Sequence, residues 1–543
     1  MAIDLVSSAD PRFAEINKGK NNGRFPTQEG SAAAIALCQT SDDVAQALEA
    51  AVKAGKRPTL RSGGHCYEDF VYNNPGGTIL DVRNMTKVSQ DPATRRWKIE
   101  AGATIGQTLS DLYKQGNVTI TSASCNTVGI GGHWSGGGYG HLIRLLGPAL
   151  DWVTAVDIVT IDAKGKVQVR HADKTHDADL LRAVRGSGGG NYGIVTAFYC
   201  DKLPPAPKEI LTGRISFDWG DMTPERLHRI LYLYANYWDM RGHDRDTWGL
   251  FAIMSLAPVT GPNSRFGMSV QFCNPDGTAQ NTKVLDEFFA VFDECKPVSE
   301  IAHSPNMPGA SHMPDPSGPG QIVCLAQHNV MLRSWIEATV GTGGGEGGGE
   351  GSGAARPAGA AGAGGGRAGG AGGAVRPLQR QKYKSAYMRK PYTLEEAAVF
   401  VKYMTDGNKY AAGVSVAMNC YGGAACNPAR LEDTAHAQRD SIIKMQFITG
   451  WRDQADDKPR MEWLDKFYTE LFTVSSDGKH PGTPYFSDRN QGCYINYPDK
   501  DMTRYSYWPQ LYWGNGDLYP FLQRVKKKYD ANNVFHHAMS VRT

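Results

Sequence analysis

Along the first 200 positions the apolar residues switch repeatedly between a helical and a strand period. In TSDDVAQALEAAVKAG, starting at Thr40, they recur three and four apart, which predicts an amphipathic helix with Ser41 or Asp42 as its N-cap. That helix runs out through KAGK into RPTLRSGG, a short strand turning on Gly63 and Gly64, and GTILDVRNM predicts another strand. RRWKIEAGATIGQTLSDLYKQG predicts a strand and a second helix. WVTAVDIVTIDAKGKVQVRH predicts a hairpin turning at AKGK, and DLLRAVRGSGGGNYGIVTAFYC a helix, a glycine loop and a strand. After the proline cluster LPPAP at 203–207 the texture changes. Longer helical runs such as TPERLHRILYLYANYW and NTKVLDEFFAVFDEC alternate with the strands WGLFAIMSLAPV and FGMSVQFCN. DLYPFLQRVKKKYDANNVF closes the chain as a helix and an exposed tail able to return to the first part.

At 543 residues the chain is long for one hydrophobic core, so two domains or more are expected, with the boundary at the proline cluster. The stretch 341–375 is almost all glycine and alanine and has nothing to bury against chain entropy, so it is read as a disordered surface insertion. A net charge of +3 carries no nucleic-acid footprint, and no apolar run is long enough to span a membrane. The start, MAIDLVSSADPRF, lacks a secretory signal pattern, so the protein is expected to be cytoplasmic, or secreted if a signal peptide has been removed. None of the ten cysteines forms a CxxC pair. Cys420 and Cys426 are close in sequence, but a reducing compartment argues against a disulfide.

Three glycine loops carry the chemistry. RSGGHCYEDF presents His65 behind two glycines, which by itself leaves open a metal ligand, an acid or base, or a tether. SASCNTVGIGGHWSGGGYGHLIR, residues 122–144, and GSGGGNYGIV, residues 186–195, let backbone N–H groups face an anion or a flat ring. The first of these is neither a Walker loop nor a clean dinucleotide fingerprint. Three such loops at strand ends fit one long ligand. His133 and His141 lack partners at ligand spacing, so no metal is expected.

Together, RSGGH, SCNTVGIGGHWSGGGYG, GSGGGNYGIVT and CYINYPD at 493–499 resemble the berberine-bridge-enzyme-like branch of the FAD-linked oxidases, within the vanillyl-alcohol-oxidase (PCMH-type) fold. The wording is closest to bacterial hexose oxidases and aclacinomycin-type oxidases. The resemblance implies an α+β chain of two domains. A PCMH-type FAD-binding domain would span 1–205, and a substrate domain with a helix-covered antiparallel sheet 206–485. A C-terminal segment, 486–543, would return to the FAD domain. It also implies FAD joined bicovalently, through His65 to the 8α-methyl group and through Cys125 to C6. Further cofactor contacts implied are Ser62, Gly63 and Gly64 in the first loop, and Val128, Gly129, Gly132, His133, Gly137 and Gly138 in the second. Gly190, Asn191, Gly193 and Val195 follow in the third loop, with Tyr494 and Asn496 near the end. One departure is DANNVF at 530–535, where the family often has proline in place of Ala531.

The same resemblance makes Tyr494 the base for an alcohol proton, Tyr139 its partner or a second base, and Tyr387 a substrate-facing residue with strand packing as the alternative. The expected reaction is hydride transfer from an alcohol of a sugar or glycosylated natural product to the flavin N5, with O2 reduced to H2O2. Oxidative C–C or C–N ring closure on a secondary metabolite is the alternative. Oligomeric state is open.

Overall fold

A computed structural model of the chain describes residues 3–20, 22–298, 321–325, 328–340 and 379–543. The insertion expected at 341–375 lies outside the described residues. Among the described residues helices and sheets mix in an α+β fold with three sheets. The strands of the first 200 residues fall in two small sheets. In one, Ala34–Leu37, Thr78–Asp81 and Pro58–Arg61 run parallel, and Asp4–Ser7 adds an antiparallel edge. The other has five antiparallel strands, and includes the expected hairpin Ala155–Ile161 with Val167–Asp173.

From residue 209 onward the described strands form one antiparallel sheet of eight. Its order is Gln321–Leu325, His328–Ser334, Glu209–Asp218, Arg265–Phe272, Leu250–Leu256, Val414–Cys420, Ile443–Trp451 and Arg380–Met388. Helices Pro224–Arg241, Leu394–Thr405 and Asp457–Val474 pack together, the last against the Ile443–Trp451 strand. Strand 443–447 reads IKMQF, and every one of these residues is buried. Phe447 meets Phe467 and Tyr468 of the helix, so the pleat sends Lys444 and Gln446 to the opposite face. A strand buried on both faces thus carries polar groups inside the molecule.

Three local expectations are corrected. The helix Ser41–Lys53 is capped by Thr40, whose hydroxyl accepts from the Asp43 N–H while the Asp43 carboxylate takes the Thr40 N–H. The run after Asn281 is helical only over Lys283–Ala290, followed by a tight turn at Asp293–Cys295. That turn lets Phe288 and Phe292 bury together. The C-terminal tail is buried at Met539 and Val541 rather than exposed, because the Val541 N–H donates to Asn191 Oδ1 at 2.8 Å. Lys526 Nζ, itself buried, also donates to the Asn191 carbonyl at 2.7 Å. Cys420 and Cys426 are free thiols.

Candidate active site

The first two glycine loops touch backbone to backbone. A β-carbon built on Gly63 would lie 2.1 Å from Gly129 N, and one on Gly129 would lie 2.2 Å from Gly63 N, so neither position tolerates a side chain. This approach brings His65 beside the second loop. His65 Nε2 is 3.1 Å from Thr127 Oγ1, and Cys125 Sγ is 3.5 Å from the same oxygen. Burial, helped by Lys20, holds the imidazole down to about 4, so His65 is neutral over the physiological range. Burial pushes the neighbouring Cys66 thiol up to about 12 and leaves it a poor nucleophile.

A cavity of about 1240 Å³ runs past all three loops. That exceeds the ~300–1,000 Å³ of ordinary small-molecule sites. Ser62, Gly63, Gly64 and His65 line it from the first loop, and Cys125, Val128, Gly129, Gly132 and His133 from the second. Gly190, Asn191, Gly193, Val195 and Asn496 complete the set of sequence candidates on its wall. Gly137, Gly138, Tyr139, Tyr387 and Tyr494 lie behind the wall. Gly137 makes room for the Tyr494 hydroxyl, 2.6 Å from where its β-carbon would be, and Gly138 packs on Ala149. The Asn191 amide group is spent on the protein: it donates to the Ser187 and Gly188 carbonyls and accepts from Val541.

Behind Asn496 lies a buried aromatic cluster. Asn496 Nδ2 donates to the His133 carbonyl at 2.7 Å and to Tyr494 Oη at 2.9 Å, which links the cavity wall to the tyrosine. The Tyr494 ring stands edge-on to Tyr139 at 6.4 Å and to Tyr387 at 6.2 Å. Lys444 Nζ, reaching through from the eight-stranded sheet, is 3.7 Å from the Tyr139 ring centre, 3.9 Å from that of Tyr497 and 5.0 Å from that of Tyr494. Tyr387 sits directly opposite Lys444 in the strand register. Its phenol is raised well above its usual range by burial, so it stays protonated. His436 is held well below its usual range by burial and the charges of Arg439 and Lys444, so it adds no second cation.

A second buried group ties the first loop to the chain's end. Lys382 Nζ is 2.6 Å from Glu68 Oε1, 2.7 Å from Asp499 Oδ1 and 3.0 Å from Asp501 Oδ2, and Lys384 Nζ is 2.7 Å from Asp499 Oδ2. Glu68 belongs to RSGGHCYEDF and Asp499 to CYINYPD, so charges align two motifs 431 positions apart in the chain. Sequence reasoning missed this network and missed Lys444. The signal for Lys444 was the alternation in IKMQF, which alone is the pattern of a strand with one wet face. His133 and His141 are not part of a ligand cluster: no group of three or more metal-binding side chains occurs among the described residues. Among the same residues no helix is long and apolar enough to cross a membrane.

Comparison with known proteins decides the family. Residues 32–169 match the FAD binding domain family, and residues 493–542 the family described as berberine and berberine like. Aclacinomycin-N/aclacinomycin-A oxidase of Streptomyces galilaeus is 31% identical over 100% of this chain and 90% of its own. The chain belongs to the berberine-bridge-enzyme-like FAD-linked oxidases. Hexose oxidase of Chondrus crispus is 27% identical over 98% of this chain and 94% of its own. The solved structure of a glycopeptide hexose oxidase complexed with teicoplanin superposes with a TM-score of 0.79 at 28% identity, covering 100% of this chain and 99% of the other. Aclacinomycin oxidoreductase gives a TM-score of 0.80 at 28% identity with both chains covered fully.

The cavity of this FAD-linked oxidoreductase fits the family's cofactor on its own terms. Its walls are peptide edges with no β-carbon in the way at Gly132, and His133 Nε2 is buried there with no hydrogen-bond partner among the described residues. An elongated ligand with a flat polar ring satisfies both features.

Proposed function

We propose that the chain oxidises an alcohol carbon of a sugar, free or carried on a glycosylated natural product, with its FAD held bicovalently by His65 and Cys125 and with O2 as the final electron acceptor. When bound, the flavin would supply a hydride acceptor and a route for the electrons to O2, which would leave as H2O2. The protein's own part is the proton. Tyr494 takes it from the substrate hydroxyl, and Tyr139 supports it from the same cluster. Tyr387 packs against Tyr494 as the third tyrosine of that cluster.

The observation that carries this reading is the setting of the Tyr494 hydroxyl. Its oxygen accepts a hydrogen bond from Asn496 at 2.9 Å, and a buried ammonium stands 5.0 Å from its ring. The phenol oxygen is thereby held in a fixed place on the link from the cavity wall, as a group that receives a proton must be. Relatives support the substrate class: an aclacinomycin oxidase, a hexose oxidase and a glucooligosaccharide oxidase.

The test is oxygen uptake by the purified yellow protein across a panel of sugars and glycosides. Turnover of at least one, lowered by about 10²–10⁴-fold in Tyr494→Phe with flavin content unchanged, is the expected result. Uptake with an amine or a phenol but with no sugar overturns the substrate class and favours ring closure. Unchanged turnover in Tyr494→Phe overturns the assignment of the base.

A further inference from the structure

We propose that Thr127 is the positioning residue for both flavin tethers, a role that rests on the bicovalent reading above. The geometry is a shared hydroxyl. One oxygen, Thr127 Oγ1, lies 3.1 Å from His65 Nε2 and 3.5 Å from Cys125 Sγ, although the two tethers belong to loops sixty residues apart. Its place is set by the protein. The Val128 N–H donates to the Cys125 carbonyl, the Ile105 and Gly106 N–H groups donate to the Val128 and Asn126 carbonyls, and the second loop is thereby pinned to the start of the helix Ile105–Gly116.

A hydroxyl offers one proton and two lone pairs. Both contacts are used when His65 Nε2–H donates to Thr127 Oγ1 and Thr127 Oγ1–H donates to Cys125 Sγ. The imidazole is then held in the tautomer whose Nδ1 keeps its lone pair, which is the pair that can form a bond. The sulfur, receiving a hydrogen bond, is held in place beside the same oxygen. One side chain therefore prepares two nucleophiles of different chemistry. Each closure replaces one N–H or S–H of the protein and one C–H of the flavin by an N–C or S–C bond. The two hydrogens, with their electrons, reduce one O2 to H2O2, so each link consumes one dioxygen and leaves the flavin oxidised.

The experiment compares wild type, Thr127→Val, Thr127→Ala and Thr127→Ser as holoproteins incubated with FAD in air. Linked flavin is followed over time by intact mass after acid precipitation, and the His65 and Cys125 peptides are mapped separately. Visible spectra and melting temperatures taken before precipitation show that flavin is bound and the fold kept. Wild type and Thr127→Ser are expected to carry both links, while Thr127→Val and Thr127→Ala form the double link about tenfold more slowly or worse, at unchanged melting temperature. The valine fills the same space and the alanine leaves room, so a packing fault in one does not decide the outcome. Double linkage at the wild-type rate in both overturns the role of Thr127 alone. Wild type without linked flavin overturns the bicovalent reading, and the proposal with it.

Discussion

Replacing Lys382 by methionine keeps most of the side chain's length and removes its charge from beside two buried carboxylates. Lys382 and Glu68 are each 1% exposed at the side chain, and Asp499 3%. After the change Asp499 keeps Lys384 at 2.7 Å, but Glu68 loses the ammonium at 2.6 Å, and its other oxygen has no partner among the described residues. Breaking a buried ion pair from one side costs about 3–5 kcal/mol. The partner left to Asp499 places the expected loss near the lower end, about 3 kcal/mol.

The loss depends on pH with a definite sign. Burial would raise the Asp499 carboxyl, yet Lys382 and Lys384 outweigh it and hold it well below the usual carboxylate range. Its stabilisation is therefore complete above the unfolded value near 4 and is lost only as pH falls through the folded value. Burial raises Glu68, so that group takes a proton first once its cation is gone. The deficit of Lys382→Met is accordingly greater at about pH 8 than at about pH 5, because the raised Glu68 carboxyl is the more neutral at the lower pH. Urea midpoints of the flavin-loaded protein, read by tryptophan fluorescence at the two pH values, measure it. A loss under about 1 kcal/mol at neutral pH, or an equal loss at both, would refute the reasoning.

Gly63→Ala forces a β-carbon to within 2.1 Å of Gly129 N, so the loops part and the protein is expected to purify with little flavin, read from its ratio of visible to ultraviolet absorbance. His65→Ala and Cys125→Ala are each expected to leave flavin attached by one link after denaturation, and only the double variant to release it to the supernatant. Burial holds His133 down to about 3, below the 6.5 of an exposed imidazole. Because the unfolded chain takes the proton that the folded one refuses, stability is expected to fall as pH drops from about 6.5 toward 3, which thermal melts across that range will show.

The glycine loops and most helices and strands were legible in the sequence, because each depends on residues within a few positions of one another. Runs of glycine announce close backbone approach, and 3.6- and 2-residue periods announce elements. Errors at this level were local: Thr40 rather than Ser41 or Asp42 caps its helix, since the side chain just outside the first turn is the one that reaches the free N–H of Asp43.

What only the tertiary structure decided is which groups share a site. Thr127 gains meaning when the Gly63–Gly129 contact brings His65 to its hydroxyl. Lys444 looks like a solvent-facing lysine until the eight-stranded sheet is buried on both faces and its ammonium is trapped among Tyr139, Tyr494 and Tyr497. Glu68, Lys382 and Asp499 lie hundreds of residues apart and become one buried network. Sequence by itself determined the local elements and the motifs whose family resemblance implies the cofactor, because both are written over short stretches of chain. The charges that tune the site come from long-range packing, where low dielectric gives a polar side chain its weight.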